Sequence, residues 1–362
     1  NYRYCQYQWE PYVQQMPKKE IEILLTMSVY QHLFVDKLPD YAIVDEANKI
    51  SRRLFKGAYQ KLVNAVLRRT FSQPPRELSG DSNAKAAIQH SFKDWIINLW
   101  DKQYGHALML DFASSSNTAP FLYVKENPFV KVPPVMDWLW ATDVEGAYQA
   151  DRKILQSPAF KMGKYIVQDK NSQRVGHFVD AKPNDCILDA CAAPGGKSMS
   201  MAIKMENKGE IIALDIHRHK IDLLQKQVDK TKLSIIKPHL QDATQAHLRF
   251  EAQSFDGVLV DAPCSGLGVL KRKPEIKHFI KPEDLDALVI LQRDILASVA
   301  TLVKVDGWLV YSTCTLNKKE NEQQARWFLE QFPHFQQTDE QFLNPKKTCA
   351  DGFYMVKFMR IR

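Results

Sequence analysis

Two periodicities divide the chain. From Pro17 to about residue 70, apolar positions recur every three to four residues, and Ile21, Leu24, Leu25, Val29 and Leu33 line one face of a helix. Pro39-Asp40 breaks it. A second helix is predicted through Ile43, Ala47, Ile50 and Leu54 with its stop at Gly57, and a third over Leu62, Val63, Val66 and Leu67. Residues 71–83, with Pro74, Pro75 and Gly80, read as a linker. A further helix carries Trp95, Ile96, Leu99 and Trp100 and ends near Gly105, and Ser114 to Asn117 read as a loop. Short apolar stretches at 121–124 and 164–168 predict a small α/β segment with its strand order left open. From about residue 183 the pattern alternates. Strands are predicted at 186–190, 210–215, 233–237, 257–261, 307–312 and 352–360, with helices at 196–206, 217–230, 283–303 and 318–331. Such alternation gives a mainly parallel sheet covered on both faces. The expected class is α/β, in three parts: a helical domain over 1–82, a small α/β subdomain over 83–163 and a large Rossmann-like domain over 164–362.

Composition changes this picture little. Of 362 residues 45% are apolar and 25% charged, the values of an ordinary globular protein. No run reaches the 18 or so apolar residues of a membrane span, and Asn1 to Cys5 carry no signal-peptide pattern, so a cytoplasmic monomer without membrane contact is expected. The six cysteines form no CxxC pair, so no metal site is expected and free thiols are the default. Cys5, Cys186 and Cys349 read as small buried hydrophobes. A net charge of +7 permits a polyanionic partner. Between Glu46 and Thr70, Lys49, Arg52, Arg53, Lys56, Lys61, Arg68 and Arg69 face a single acid, Glu46. That excess reads equally as a solvated helix face or as a phosphate-contacting surface.

The first strand of the alternating half ends in Asp189-Ala190-Cys191-Ala192-Ala193-Pro194-Gly195-Gly196-Lys197. Small residues between a strand and a helix let a ligand approach the backbone closely. The GxGxxG fingerprint is absent, and Cys191 stands where a phosphate loop needs its first glycine. A tight structural turn is the plain alternative. Two carboxylates shift the balance. Asp215 ends the second strand, where an acid accepts hydrogen bonds from a ribose diol, and Asp242 follows the third, where it can take an adenine amino group. Together Cys191, Ala192, Ala193, Pro194, Gly195, Gly196, Lys197, Asp215 and Asp242 describe a site for a nucleoside without pyrophosphate. S-adenosylmethionine fits that description better than NAD.

Two strand ends deliver thiols to the same sheet edge. Gly257-Val258-Leu259-Val260 leads into Asp261-Ala262-Pro263-Cys264-Ser265-Gly266, and Trp308-Leu309-Val310-Tyr311 leads into Ser312-Thr313-Cys314-Thr315. Cytosine C5 is a poor nucleophile, and a thiolate added at C6 makes it reactive toward an electrophilic methyl group. The chemistry needs an activated thiolate, a hydrogen-bonding group at the base edge and a group that helps release the adduct. Cys314, Asp261 and Cys264 fill these roles, and the residue types alone leave open which thiol attacks. The Asp/Asn-Pro-Pro-Tyr/Phe motif expected for methylation of an exocyclic amine is absent.

Across nearly its whole length the chain resembles the RNA cytosine-5 methyltransferases of the Sun (Fmu) family. The resemblance is carried by Val167-Gln168-Asp169 with Ser172, Leu188 through Lys197, Asp261 through Gly266 and Arg272 through Lys277. It continues in Ser312 through Thr315 with Glu320-Asn321-Glu322, and in Asp351-Gly352-Phe353-Tyr354. Residues Ser28 to Gln31, Asp36 to Ala42 and Leu62 to Arg68 resemble the second half of the helical domain of the antitermination factor NusB, whose earlier helices would lie before Asn1. That front segment favours family members acting on 16S ribosomal RNA, or its small-subunit precursor, over relatives acting on transfer RNA. A non-catalytic RNA-binding protein on a vestigial methyltransferase fold is the alternative from another class. The resemblance implies Cys314 as the nucleophile at C6, Cys264 as the thiol that assists adduct breakdown, and Asp261 in contact with both cofactor and cytosine. It implies S-adenosylmethionine held by the Cys191–Lys197 loop, Asp215, Asp242 and Asp261. Lys271, Arg272, Lys273 and Lys277, with Arg52, Arg53 and Arg68 in the helical part, are expected to hold RNA phosphates. Lys125 stands where relatives usually carry Arg, and Gln241 where Gly is common.

Overall fold

The computed structural model describes residues 1–362, in two units, Asn1–Asn117 and Thr118–Arg362. The first unit is helical: α1 (Tyr2–Trp9), α2 (Lys19–Phe34), α3 (Asp40–Phe55), α4 (Gln60–Phe71), α5 (Ser82–Gln89), α6 (Asp94–Tyr104) and α7 (His106–Ser116). The three helices predicted over 17–70 are α2, α3 and α4. The stop of α3 is at Lys56, in the left-handed conformation just before Gly57. Helix α1 was not predicted. It lies on α2, where Cys5 and Trp9 are fully buried with Ile21, Leu25, Val29, Val63 and Leu67, and the Trp9 indole donates to Thr26 Oγ1 at 3.0 Å.

The first unit runs on past residue 82 to Asn117, and α1 bonds to its later segments. Tyr7 donates its hydroxyl to the Glu77 carbonyl at 3.0 Å, and Arg3 reaches the Phe92 carbonyl at 2.6 Å and Asp94 at 2.9 Å. Phe92, Trp100 and Phe112 then stack edge to face as the core of α6 and α7. The loop expected over Ser114 to Asn117 is helical as far as Ser116. Ser115 and Ser116 satisfy their hydroxyls on the Phe112 carbonyl of their own helix, at 3.2 and 2.7 Å.

The second unit begins with a small antiparallel sheet of β1 (Tyr123–Glu126), β2 (Leu139–Ala141), β3 (Ala147–Ala150) and, after the short α8 (Pro158–Lys161), β4 (Tyr165–Val167), in the order β2-β3-β1-β4. There follow α9 (Lys170–Phe178), β5 (Cys186–Asp189), α10 (Gly196–Lys204), β6 (Glu210–Asp215), α11 (Arg218–Thr231) and β7 (Ile236–Leu240). The chain continues with β8 (Phe255–Asp261), α12 (Ile276–Phe279), α13 (Pro282–Ala300), β9 (Val303–Thr313), α14 (Glu322–Gln331), β10 (Phe335–Leu343), α15 (Pro345–Thr348) and β11 (Phe353–Arg360). The large sheet runs β10-β11-β9-β8-β5-β6-β7. Strands β5 to β9 are parallel, and the β10–β11 hairpin is added antiparallel at one edge. This is the Rossmann-like architecture expected. Its apolar strands are covered on both faces, by α13 and α14 over Val258, Val260 and Leu309, and by α9, α10 and α11 over Ile187, Ile211 and Val310.

Chain reversal occurs between β5 and β8, so the carboxyl ends of the central strands open onto a shared crevice. Asp189, Asp215, Asp261 and Thr313 close four neighbouring parallel strands there. In the parallel register Asp261 on β8 stands beside Ser312 on β9.

Candidate active site

The two thiols meet. Cys264, three residues past β8, and Cys314, immediately past β9, bring their sulfurs to 3.3 Å. The contact with Cys314 and burial push the Cys264 thiol well above its ordinary value. Beside them Asp261 accepts the Ser312 hydroxyl at 2.8 Å on Oδ1 and the Lys197 ammonium at 2.5 Å on Oδ2. Burial works against the charge on Lys197, yet the Asp261 carboxylate outweighs it and holds the ammonium above its ordinary value. Lys197, Asp261 and Cys314 all face a cleft of about 420 Å³ walled by Gln168, Asp169, Ala193, Arg272 and Phe353.

A buried network fixes the two cysteine loops against each other. Glu320, fully buried, accepts the Ser265 backbone N–H at 2.8 Å, the Ser265 hydroxyl at 2.6 Å, the Asn317 amide at 2.9 Å and the Gln292 amide at 3.1 Å. Gln292 also donates to the Pro263 carbonyl at 3.0 Å. Asn321 accepts from Thr313 at 2.6 Å and donates to the Thr315 carbonyl at 3.0 Å. Every donor around Glu320 belongs to a segment flanking one thiol or to a helix packed behind both. Satisfied buried networks of this kind set geometry tightly. The sequence displayed Glu320 and Asn321, but nothing in their spacing announced that they join the two loops.

The cofactor residues expected from sequence cluster at the neighbouring strand ends. Gly195 has φ of 100°, a conformation costly for other residues, and caps the start of α10 with its own N–H on the Ala192 carbonyl at 2.7 Å. Asp215 is buried and accepts the His217 N–H at 2.9 Å. Asp242 spends Oδ1 on the Thr244 N–H and hydroxyl, at 2.9 and 2.8 Å. Burial pushes the Cys191 thiol well above its ordinary value, which disfavours its thiolate. Asp189 was not among the expected ligands. It takes one bond from Ser198, at 2.6 Å, while its buried Oδ1 has no partner, and burial pushes its carboxyl up to about 7. The set fits a nucleoside with a cationic centre: three acidic residues at the strand ends, Asp189, Asp215 and Asp242, beside a loop of small residues, with Lys220 at 3.5 Å from Asp215. Lys197, expected with the cofactor loop, also pairs its ammonium with Asp261.

The basic residues divide. Arg52, Arg53, Arg68 and Lys273 are exposed, as a phosphate-contacting role requires. Arg272 is not a free surface cation: it bridges Asp169 and Asp351 in the cleft wall, with one bond of 2.6 Å to Asp351. Lys277 is 3% exposed, and burial pushes its ammonium down to about 8. Lys271 is half-buried on the Pro345 carbonyl at 3.3 Å. Of the four residues expected to hold RNA phosphates in this segment, Lys277 is buried, Lys271 is partly buried, and Arg272 is tied to two carboxylates. Cys5 and Cys186 pack in cores as expected, whereas Cys349 is exposed.

Residues 177–359 match the family described as 16S rRNA methyltransferase RsmB/F, and residues 11–71 match the NusB family. A probable ribosomal RNA small subunit methyltransferase B of Bacillus subtilis (strain 168) is 34% identical over 91% of this chain and 77% of its own. The ribosomal RNA small subunit methyltransferase B of Pasteurella multocida (strain Pm70) is 30% identical over 94% of this chain and 80% of its own. The crystal structure of PH0851 superposes with a TM-score of 0.81 and 25% identity, over 94% of this chain and 82% of that one.

Proposed function

The chain belongs to the RsmB/F family of 16S rRNA methyltransferases, and from that premise we propose that it methylates C5 of a cytosine in 16S ribosomal RNA through a covalent adduct on Cys314. The observation that carries this reading is the pair of sulfurs at 3.3 Å, of which Cys314 shares a cleft with the Lys197–Asp261 ion pair. S-adenosylmethionine, when bound by the Cys191–Lys197 loop, Asp215 and Asp242, supplies the electrophilic methyl group. Cys314 Sγ forms a bond to C6, and the displaced electron pair makes C5 nucleophilic. Electron density accumulates on the ring as the sulfur adds, and the Lys197 ammonium lies where it stabilises that charge. Asp261 accepts from the amino group of the base. Cys264 stands 3.3 Å from the Cys314 sulfur, within reach of a hydrogen bond in which either atom can donate. Once C5 carries the methyl group, its proton is removed, the C5–C6 double bond re-forms and the Cys314–C6 bond breaks. Cys264 assists that last step.

Cys264→Ala is expected to accumulate a protein–RNA complex that survives denaturing electrophoresis, and Cys314→Ala to form none. The opposite pattern would assign attack to Cys264. Bisulfite mapping of ribosomal and transfer RNA, with and without the protein, tests the substrate: a new 5-methylcytosine in transfer RNA alone would overturn the 16S reading.

A further inference from the structure

A second cavity, of about 390 Å³, lies in the same unit, between β1 and the C-terminal halves of α9 and α10. The size is within the range of small-ligand sites, ~300–1,000 Å³. The contact of Gly176 on α9 with Ser200 on α10, and the 3.0 Å bond from Ser200 to Gln168, stand between it and the reaction cleft. Its buried wall is Lys125, 4% exposed, a residue of β1 whose ammonium lies in neither a hydrogen bond nor an ion pair. Buried ammonium groups are normally matched by a carboxylate or by carbonyls. Burial pushes this one down to about 8, opposed only by the distant charge of Glu145. Its Nζ is 4.0 Å from the point a Cβ on Gly146 would occupy.

The other polar groups of the lining are accounted for. Lys204 caps α9 by donating to the His177 carbonyl at 3.1 Å and to the Val179 carbonyl, which leaves one of its three N–H groups. His177 Nε2 donates to the Glu145 carbonyl at 3.0 Å. Glu126 is neutralised by Lys164 at 2.9 Å and also accepts from Tyr148. Glu145 alone carries an unpaired carboxylate, exposed at the rim, and it opposes an anion. We propose that this cavity binds a phosphate ester, with the anion on Lys125 and the remaining Lys204 donor. The ester comes either from a small metabolite or from the RNA backbone.

The test is titration calorimetry with thermal unfolding on the full chain, using inorganic phosphate, ribose 5-phosphate, unphosphorylated ribose and a short single-stranded RNA. Phosphate and ribose 5-phosphate are expected to raise the Tm of the wild type, and ribose is not. Lys125→Met should lose the effect, Lys125→Arg should keep it, and Glu145→Gln should tighten binding severalfold. If the natural source is RNA, Lys125→Met should also weaken RNA binding and flatten its salt dependence by roughly 0.7 in log–log slope. Unchanged RNA binding alongside a lost ribose 5-phosphate response assigns the site to a small ester. The proposal is overturned if none of the phosphate probes binds the wild type, or if they bind Lys125→Met equally well. Should Lys125→Met fail to fold, an unchanged affinity in Glu145→Gln overturns it.

Discussion

Asp189 shows what a single buried carboxyl does in this crevice. Its Oδ1 is unpaired and its proton affinity is raised to about 7 by burial, against the pull of the Ser198 bond. The folded state therefore holds a proton that the unfolded chain releases near pH 4. Its contribution to stability is most favourable at low pH and declines as pH rises from about 4 to about 7, where the cost of the bare carboxylate is complete. Asp189→Asn removes that titration while keeping an acceptor for Ser198. Measured by thermal unfolding without cofactor, its Tm relative to wild type should improve between pH 5 and pH 8; an equal offset at both pH values would show that Asp189 does not titrate. Glu320 is the opposite case, a buried carboxylate with four donors, and it was visible in the sequence only as part of a familiar string of letters. The thiols and Asp261 were legible because each follows an apolar strand. The roles of Glu320, Arg272 and Lys197 were not, because they depend on which distant residue lies opposite.

Between elements, α9 lies close against α10 near the site. A Cβ on Gly176 would stand 2.4 Å from Ser200 Cβ, so only glycine fits without a shift. Gly176→Ala is expected to cost about 1–3 kcal/mol as an overpacking change. Adding Ser200→Gly should restore part of that loss in chemical unfolding; if the double variant is no better than the single, the contact is not the cause. The same helices explain the limits of pattern reading. Strands β5, β6 and β8 announce themselves as apolar runs because helices cover both their faces. Strand β10, Phe335–Leu343, is a mostly exposed edge rich in Gln, Asp and Glu, and it carries no such signal. Strand β7 begins three residues later than the apolar run over 233–237 suggests, since Leu233 and Ile235 are buried in the turn before it. Helix α9 is polar along most of its length, and the Asp169 cap at 2.8 Å to Asn171 is what starts it.

At the scale of the whole molecule the basic residues that remain exposed matter more than the net charge. Arg52, Arg53 and Arg68 are exposed, whereas Arg272 is spent on Asp169 and Asp351 and Lys277 is buried. Replacing the three exposed arginines by Gln is expected to flatten the salt dependence of RNA binding by roughly 2 in log–log slope, at ~0.7 per single-stranded phosphate contact. Filter binding over a potassium chloride series checks this, and an unchanged slope would remove the helical unit's arginines from the RNA surface. The sulfur pair ties the molecule to its surroundings in a different way. Two thiols at 3.3 Å are one small movement from a covalent S–S bond of ~2.05 Å. Hydrogen peroxide would take two electrons and two protons from the pair, leave as two molecules of water, and lock both reactive sulfurs together. Titratable thiols should then fall by two under mild peroxide and return with dithiothreitol, while Cys264→Ala should show no such reversible pair. Under the proposed mechanism catalytic capacity would then follow the reducing power of the compartment, because the closeness of the two sulfurs makes each the other's nearest oxidation partner.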